Sequence, residues 1–73
     1  MALGRSRVGT ILEFDDDSGL GTVRDQADGS AFDFHCTAIV DGSRHIDADV
    51  EVTFDLRATH GGRIEASQIV PRG

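Results

Sequence analysis

The chain of 73 residues contains no tryptophan, no tyrosine and no lysine, and it has one cysteine, one proline and one methionine. Because Cys36 has no second cysteine to join, an intramolecular disulfide is excluded, and a chain this short depends on its apolar core for stability. Nowhere do about 18 apolar residues run together, and the first residues contain no apolar signal-peptide segment. We therefore expect a soluble, cytoplasmic protein that folds as a single domain over residues 1–73.

Acidic residues outnumber basic ones: 13 Asp and Glu stand against seven Arg, and the net charge is −6. Proteins that bind nucleic acids usually carry a basic patch, since the release of counterions from phosphates supplies much of their affinity. The overall field of this chain instead repels a polyanion. Arg5, Arg7 and Arg72 would form a small basic spot if the two ends of the chain meet, although ordinary surface charge is the simpler interpretation.

Five segments have the composition or the alternation of β-strands. In the clearest, Val50, Val52, Phe54 and Leu56 alternate with polar residues. Turns rich in Asp, Gly and Ser separate the segments. The pattern predicts an all-β domain built as a five-stranded antiparallel barrel, and the long link before the fourth strand favours an OB-fold over an SH3-like barrel. The predicted strands are 8–14, 20–24, 31–35, 50–56 and 63–71.

Four segments together resemble the bacterial cold-shock domain family. Their order and spacing agree with the family's GKVKWF, KGFGFI, VFVHFSAI and AANV motifs, and the segments are Gly9–Phe14, Ser18–Val23, Phe32–Ile39 and Glu65–Ile69. The resemblance implies an OB-fold barrel that binds single-stranded RNA or DNA on an aromatic platform across the first three strands. It also implies a core made of Ile11, Val23, Phe32, Phe34, Ile39, Val52, Phe54 and Ile69.

The chain departs from the family mostly at the aromatic positions of that platform. Glu13 stands where the family has tryptophan, and Cys36 replaces the phenylalanine that follows the histidine. The other exposed phenylalanines are replaced by Leu20, Thr22 and Asp33. The two carboxylates would face phosphates with the wrong sign of charge.

The lysines of the first two motifs are also absent, and their positions hold Thr10, Leu12 and Ser18. Base–aromatic stacking is worth roughly 1–3 kcal/mol per base, so the loss of several stacking groups removes at least about 5 kcal/mol. A micromolar complex totals only about 8 kcal/mol. We therefore predict that single-strand binding is weak or lost.

Some groups remain that can contact a nucleic acid weakly. Phe14 and His35 are the two stacking side chains left, and Arg24 supplies a positive charge. Arg44 lies in the long loop, near an aromatic contact of the family, where it can make a cation–π contact with a base. The candidate nucleic-acid residues are Phe14, Leu20, Thr22, Arg24, His35 and Arg44.

An alternative is an OB-fold module whose remodelled face binds a protein. An aliphatic centre inside a charged rim is compatible with a modest protein interface. The rim would contain Glu13 and Asp33, and the centre would consist of Leu12, Leu20, Thr22 and Cys36. A third interpretation, a self-associating or purely accessory stress protein, has no specific sequence signal.

Metal binding and catalysis have little support in the sequence. His35 and Cys36 offer two ligands, but zinc takes three or four, and His45 and His60 lie in other predicted loops. The run Asp15–Asp17 lacks the spaced oxygen ligands and the distal Glu of a calcium loop, which makes it a solvated turn. No nucleophile lies near a base in a recognisable pattern. We expect no enzyme activity, no cofactor, no metal, no membrane contact, and a monomer.

Overall fold

The structure, a computed structural model, describes residues 6–72 except for the side chain of His60. Its five strands are β1 (Arg7–Asp15), β2 (Leu20–Asp25), β3 (Ala31–His35), β4 (Glu51–Ala58) and β5 (Ile64–Pro71). They form one antiparallel sheet in the order β3-β2-β1-β4-β5. The predicted all-β class with five antiparallel strands is confirmed. No helix in the described part of the chain is long and apolar enough to cross a membrane.

The strand boundaries lie within two residues of the predicted ones. β3 coincides with the predicted segment, and β2 continues one residue further, to Asp25. β4 begins at Glu51 rather than Val50 and ends at Ala58, which adds two residues to the predicted end. These differences fall at strand ends, where the alternation of apolar and polar residues is weakest.

The two outer strands of the sheet, β3 and β5, pack against each other without a ladder of hydrogen bonds. One parallel bridge joins Ile39 to Ile69, and the Val40 N–H donates to the Ile69 carbonyl oxygen at 3.0 Å. The sheet therefore curls until its edges approach each other. Strand pairing does not close it into a barrel anywhere in residues 6–72.

The core is apolar and contains the residues that the resemblance implied. Seven of those eight side chains are buried, and Phe32 is partly buried against them. Ile46, in the long loop between β3 and β4, is also buried, at 6% exposure, and it was not predicted. The loop is therefore anchored in the core near its middle.

Two glycines allow aromatic rings to lie directly on the backbone of the sheet. A Cβ atom at Gly21 would lie 2.5 Å from the Phe34 ring and 2.9 Å from the Glu13 carbonyl oxygen. A Cβ atom at Gly9 would lie 2.6 Å from the Arg24 carbonyl oxygen. These contacts are too short for any side chain, so the packing of β1 on β2 requires glycine at both positions.

A partly buried ion pair joins the start of β1 to the end of β2. Asp25 is completely buried, and its carboxylate accepts hydrogen bonds from Arg7 Nε and, at 2.8 Å, from the Ala27 N–H. The hydrogen bond to Asp25 holds the pKa of Arg7 above its usual value. In the described residues, no buried side-chain polar atom is left without a partner.

The proposed basic spot at the chain ends is not formed by the described arginines. Arg7 belongs to β1 and is neutralised by Asp25, and Arg72 lies 3.7 Å from the Glu51 carboxylate. Arg5 lies outside the described residues. Each of these two arginines lies beside an acidic residue, which agrees with the simpler interpretation of ordinary surface charge.

Candidate binding face

The outward side chains of β1, β2 and β3 form one surface, which we call the three-strand face. Residues directly opposite each other in an antiparallel ladder point to the same side, so the register arranges this face in rows. The rows, starting at the β1–β2 turn, are Asp15–Leu20–His35, then Glu13–Thr22–Asp33, then Thr10–Arg24–Ala31. The register therefore brings most of the predicted platform positions onto one surface.

An open groove of about 530 Å³ crosses this face and reaches β5. Its apolar lining includes Phe14 and Leu20, and Leu20 is 53% exposed. Its charged lining is four carboxylates and one guanidinium, from Glu13, Asp15, Asp33, Glu65 and Arg63. The groove therefore combines exposed apolar surface with an excess of negative charge.

Most of this negative charge is not neutralised by neighbouring side chains. Arg63 lies 3.4 Å from the Asp33 carboxylate, but both side chains are mostly exposed, so water and salt screen the pair. The Thr22 hydroxyl lies 3.5 Å from the other Asp33 oxygen and donates to it. Among the described residues, Glu13 and Glu65 have no hydrogen-bonding or ion-pair partner for their carboxylates. The groove thus presents free carboxylates to a ligand.

Phe14 lies in the groove next to the β1–β2 turn and is partly buried. Its ring stacks on Phe34 with centroids 6.0 Å apart and an interplanar angle of 20°. The ring of His45 meets it edge-on, at 5.7 Å and 88°. Since two aromatic rings already contact it, only part of the Phe14 ring is available to a ligand.

His45 lies between two carboxylates that come from different segments. Its Nδ1 is 2.6 Å from Asp16 Oδ1, and its Nε2 is 2.7 Å from Asp47 Oδ1. The hydrogen bonds to Asp47 and then to Asp16 raise the pKa of His45 above its usual value. No hydrogen-bond partner of His45 was predicted, because Asp16 is distant in sequence and no motif connects the two.

Two members of the predicted aliphatic platform do not contribute to the groove. Leu12 lies at a β-bulge in β1, so it has no partner in β2 and is not part of the groove lining. Cys36 begins the short 3-10 turn after β3 and packs against the core. Leu12 and Cys36 therefore lie outside the groove lining, while Leu20 and Thr22 belong to it. The larger apolar group there is Phe14.

The other candidates are distributed around the face. His35 is exposed beside Leu20, and its Nδ1 accepts a backbone hydrogen bond that caps the turn after β3. Ser18 lines the groove, and its hydroxyl accepts from the Leu20 N–H at 3.2 Å. Arg24 is exposed in the third row, and Arg44 is exposed in the β3–β4 loop. The two candidate arginines thus lie outside the groove lining.

Within residues 6–72, no group of three or more His, Cys, Asp or Glu side chains could hold a metal ion. No protein-family model matches the chain, and no curated protein matches it in sequence. Membership of the cold-shock family therefore stays a prediction that rests on the four motifs.

Proposed function

We propose that this protein is a non-enzymatic binding module of the cold-shock-like OB type, cytoplasmic and monomeric, whose three-strand face binds a positively charged protein segment. The observation that carries the proposal is the middle row of the face, where Glu13 and Asp33 flank Thr22. The resemblance assigns these positions to aromatic stacking groups. Carboxylates at the same places select a ligand of the opposite charge.

The groove suits the side chains of arginine and lysine in three respects. Free carboxylates such as Glu13 and Glu65 accept charge-assisted hydrogen bonds from a guanidinium or an ammonium group. Exposed Leu20 can cover the aliphatic stem of such a side chain. The accessible part of the Phe14 ring can receive the cation itself.

The row spacing of the face also fits an extended segment. Neighbouring rows are two residues apart along β2 and β3, which corresponds to about 7 Å. An extended peptide places its side chains i and i+2 at the same separation. A segment with basic residues at alternate positions therefore matches the row of Asp15 and the row of Glu13 at once.

The same features weaken binding of single-stranded nucleic acid. Phosphates would approach Glu13, Asp33 and Asp15, and like charges at close range oppose binding. The stacking contributions of roughly 1–3 kcal/mol per base are also missing at the substituted positions. Weak single-strand binding is the second candidate function, and the exposure of Arg24 and His35 on the same face favours it.

The proposal is tested by titrating the protein at low salt with three short ligands of matched length. These are a peptide of alternating Arg and Leu, the same peptide with Glu in place of Arg, and a pyrimidine-rich oligonucleotide. We expect amide chemical shifts at Glu13, Leu20 and Asp33 to respond to the cationic peptide only. Binding of the oligonucleotide alone, mapped to these residues, would overturn the proposal and support the second candidate.

A pair of double variants separates the groove from the net charge of the protein. Glu13→Gln with Asp33→Asn removes two groove carboxylates, and we expect the affinity for the cationic peptide to fall several-fold. Asp28→Asn with Asp55→Asn removes the same charge from residues outside the groove lining. Equal losses in both variants would show non-specific attraction to an acidic protein and would contradict a defined site.

A further inference from the structure

We propose that His45 is a pH-operated latch beside the groove: the protonated ring ties the β1–β2 turn to the β3–β4 loop across Phe14, and loss of the proton releases the turn. The β1–β2 turn is residues 16–19, and the β3–β4 loop is residues 40–50. The role of the latch in regulating ligand access rests on the proposed function of the groove. The pH-dependent contact itself does not depend on that function, because it can be measured in the protein without a ligand.

The geometry of the ring requires two donors. Both His45 nitrogens lie within hydrogen-bond distance of a carboxylate oxygen, and a carboxylate can only accept. An imidazolium has two N–H groups and satisfies both Asp16 and Asp47. A neutral imidazole has one, so its other nitrogen would direct a lone pair at a carboxylate oxygen less than 3 Å away. One of the two contacts must therefore break when the ring loses its proton.

The contact to Asp16 is the one expected to break. Asp47 is two residues from His45 in the same loop, so keeping that contact orders few additional dihedral angles. Asp16 belongs to a different turn, and its contact must hold two separate segments in place. Neutral His45 therefore keeps Asp47 and releases Asp16.

The remaining contacts of the loop define the part that becomes free. Ile46 is buried, the Asp49 N–H donates to the Ile11 carbonyl oxygen at 2.8 Å, and Val40 is held by Ile69. Among the described hydrogen bonds of residues 41–45, the one from His45 to Asp16 connects this segment to the β1–β2 turn. Release therefore affects residues 41–45 and leaves the rest of the loop in place.

The latch acts on the groove through the aromatic contact and through charge. The charged groups facing His45 are Asp16 from the turn and Asp47 from the loop, while β1 presents the uncharged Phe14 ring. When the ring is released, its contact with Phe14 is lost and one positive charge disappears beside Asp16. A cationic segment should therefore bind more tightly above the titration of His45 than below it.

The first test uses the free protein. NMR would follow the ring protons of His45 and Phe14 and the amides of residues 41–45 between about pH 5 and pH 8. We expect a shared inflection in all three signals, which Asp16→Asn moves to lower pH. Asp17→Asn is the matched control, since it removes the same charge from the same turn and its side chain makes no described contact with the ring. Loop amides that do not follow His45, or equal shifts in both variants, would overturn the latch.

The second test measures binding of the cationic peptide on both sides of that inflection. We expect a several-fold higher affinity on the alkaline side in the natural protein and no such difference in His45→Gln. Binding that is equally tight on both sides would contradict regulation by the latch. If the peptide does not bind at any pH, the proposed function fails, while the latch is still decided by the loop amides.

Discussion

The inner and outer sides of β1, β2 and β3 have different relations to the family that the sequence resembles. The inner side is what the resemblance implies: Val23 and Phe34 are buried, and Gly21 allows Phe34 to lie on the backbone. On the outer side, the positions of the stacking aromatics hold Glu13 and Asp33. Successive residues of a strand point to opposite sides, so one stretch of sequence can keep its packing while its surface chemistry changes.

The inner and outer sides of the sheet therefore have different roles. The inner side determines whether the chain folds into the sheet, and it tolerates few changes. The outer side determines which ligand the sheet can hold, and its residues have few partners in the structure. Variants on one side should therefore change stability, and variants on the other should change binding.

The largest expected effect is on the outer side. Glu13→Trp, Leu20→Phe, Thr22→Phe and Asp33→Phe together should strengthen binding of a pyrimidine-rich single strand by about 5 kcal/mol, at roughly 1–3 kcal/mol per stacked base. Isothermal titration calorimetry of the fourfold variant and of each single variant measures this gain, which should be non-additive. Arg57→Trp, on β4, adds an aromatic group elsewhere and serves as the control. A folded fourfold variant that binds nothing would contradict the alignment with the cold-shock motifs.

The next effect tests the inner side. Gly21→Ala should destabilise the protein by about 3 kcal/mol, because the added methyl group overlaps the Phe34 ring and the Glu13 carbonyl oxygen. Urea unfolding measures the change in the free energy of unfolding. Gly29→Asn is the control: Gly29 has open space around its Cβ position, and asparagine tolerates its positive φ of 78°. Equal destabilisation of both variants would show that close packing on Gly21 is not the cause.

A smaller effect is expected at the partly buried ion pair of Asp25 with Arg7. Asp25→Asn removes the charge that Arg7 neutralises but keeps the shape of the side chain, and we expect a loss of about 1–3 kcal/mol. The measurement is the urea midpoint at neutral pH. Asp28→Asn, in the exposed turn that follows, removes an equal charge and should change the midpoint less. The interpretation would be wrong if the two variants had the same midpoint.

The smallest effect concerns pH. The pKa of His45 is raised in the folded protein, so its contribution to stability is complete below about pH 6.5, the usual value for histidine. That contribution is lost as the pH rises through the raised pKa, because the folded state then releases its extra proton. The difference in urea midpoint between the natural protein and His45→Gln should therefore shrink on the alkaline side. Added salt should reduce this difference in midpoint at every pH, since the side chains of His45, Asp16 and Asp47 are largely exposed.

Local patterns in the sequence were sufficient to predict the strands, and the resemblance to the family motifs added the inner side. Val52 and Phe54 alternate with polar residues, and turn residues such as Gly29 mark the strand ends, so no distant contact was needed. The three-strand face could be predicted from the same alternation together with the family motifs. Leu12 was expected on the aliphatic platform, but a β-bulge in β1 interrupts the alternation there. The residue types around the bulge do not indicate it.

The contacts between distant segments could not be predicted. Asp25 pairs with Arg7, and His45 pairs with Asp16, across separations that no local pattern encodes. Ile46 is flanked by the polar residues His45 and Asp47, and only the three-dimensional path of the loop buries it. A second bulge lies in β5, where Gln68 adopts a positive φ of 50° and shifts the inward positions. A positive φ is unusual for residues other than glycine, so a glutamine at position 68 does not predict it.

Asp33 also lies in the middle of β3, a strand that within residues 6–72 forms a ladder only with β2. An outer strand of a sheet offers its unpaired backbone groups to other molecules, and a central charge is one of the means by which proteins keep such strands from joining. Replacing Asp33 by Phe would create the apolar run Ala31–Phe34 at this edge, a short segment of the kind that starts amyloid-like stacking. We therefore expect Asp33→Phe to lower the solubility of the protein at high concentration.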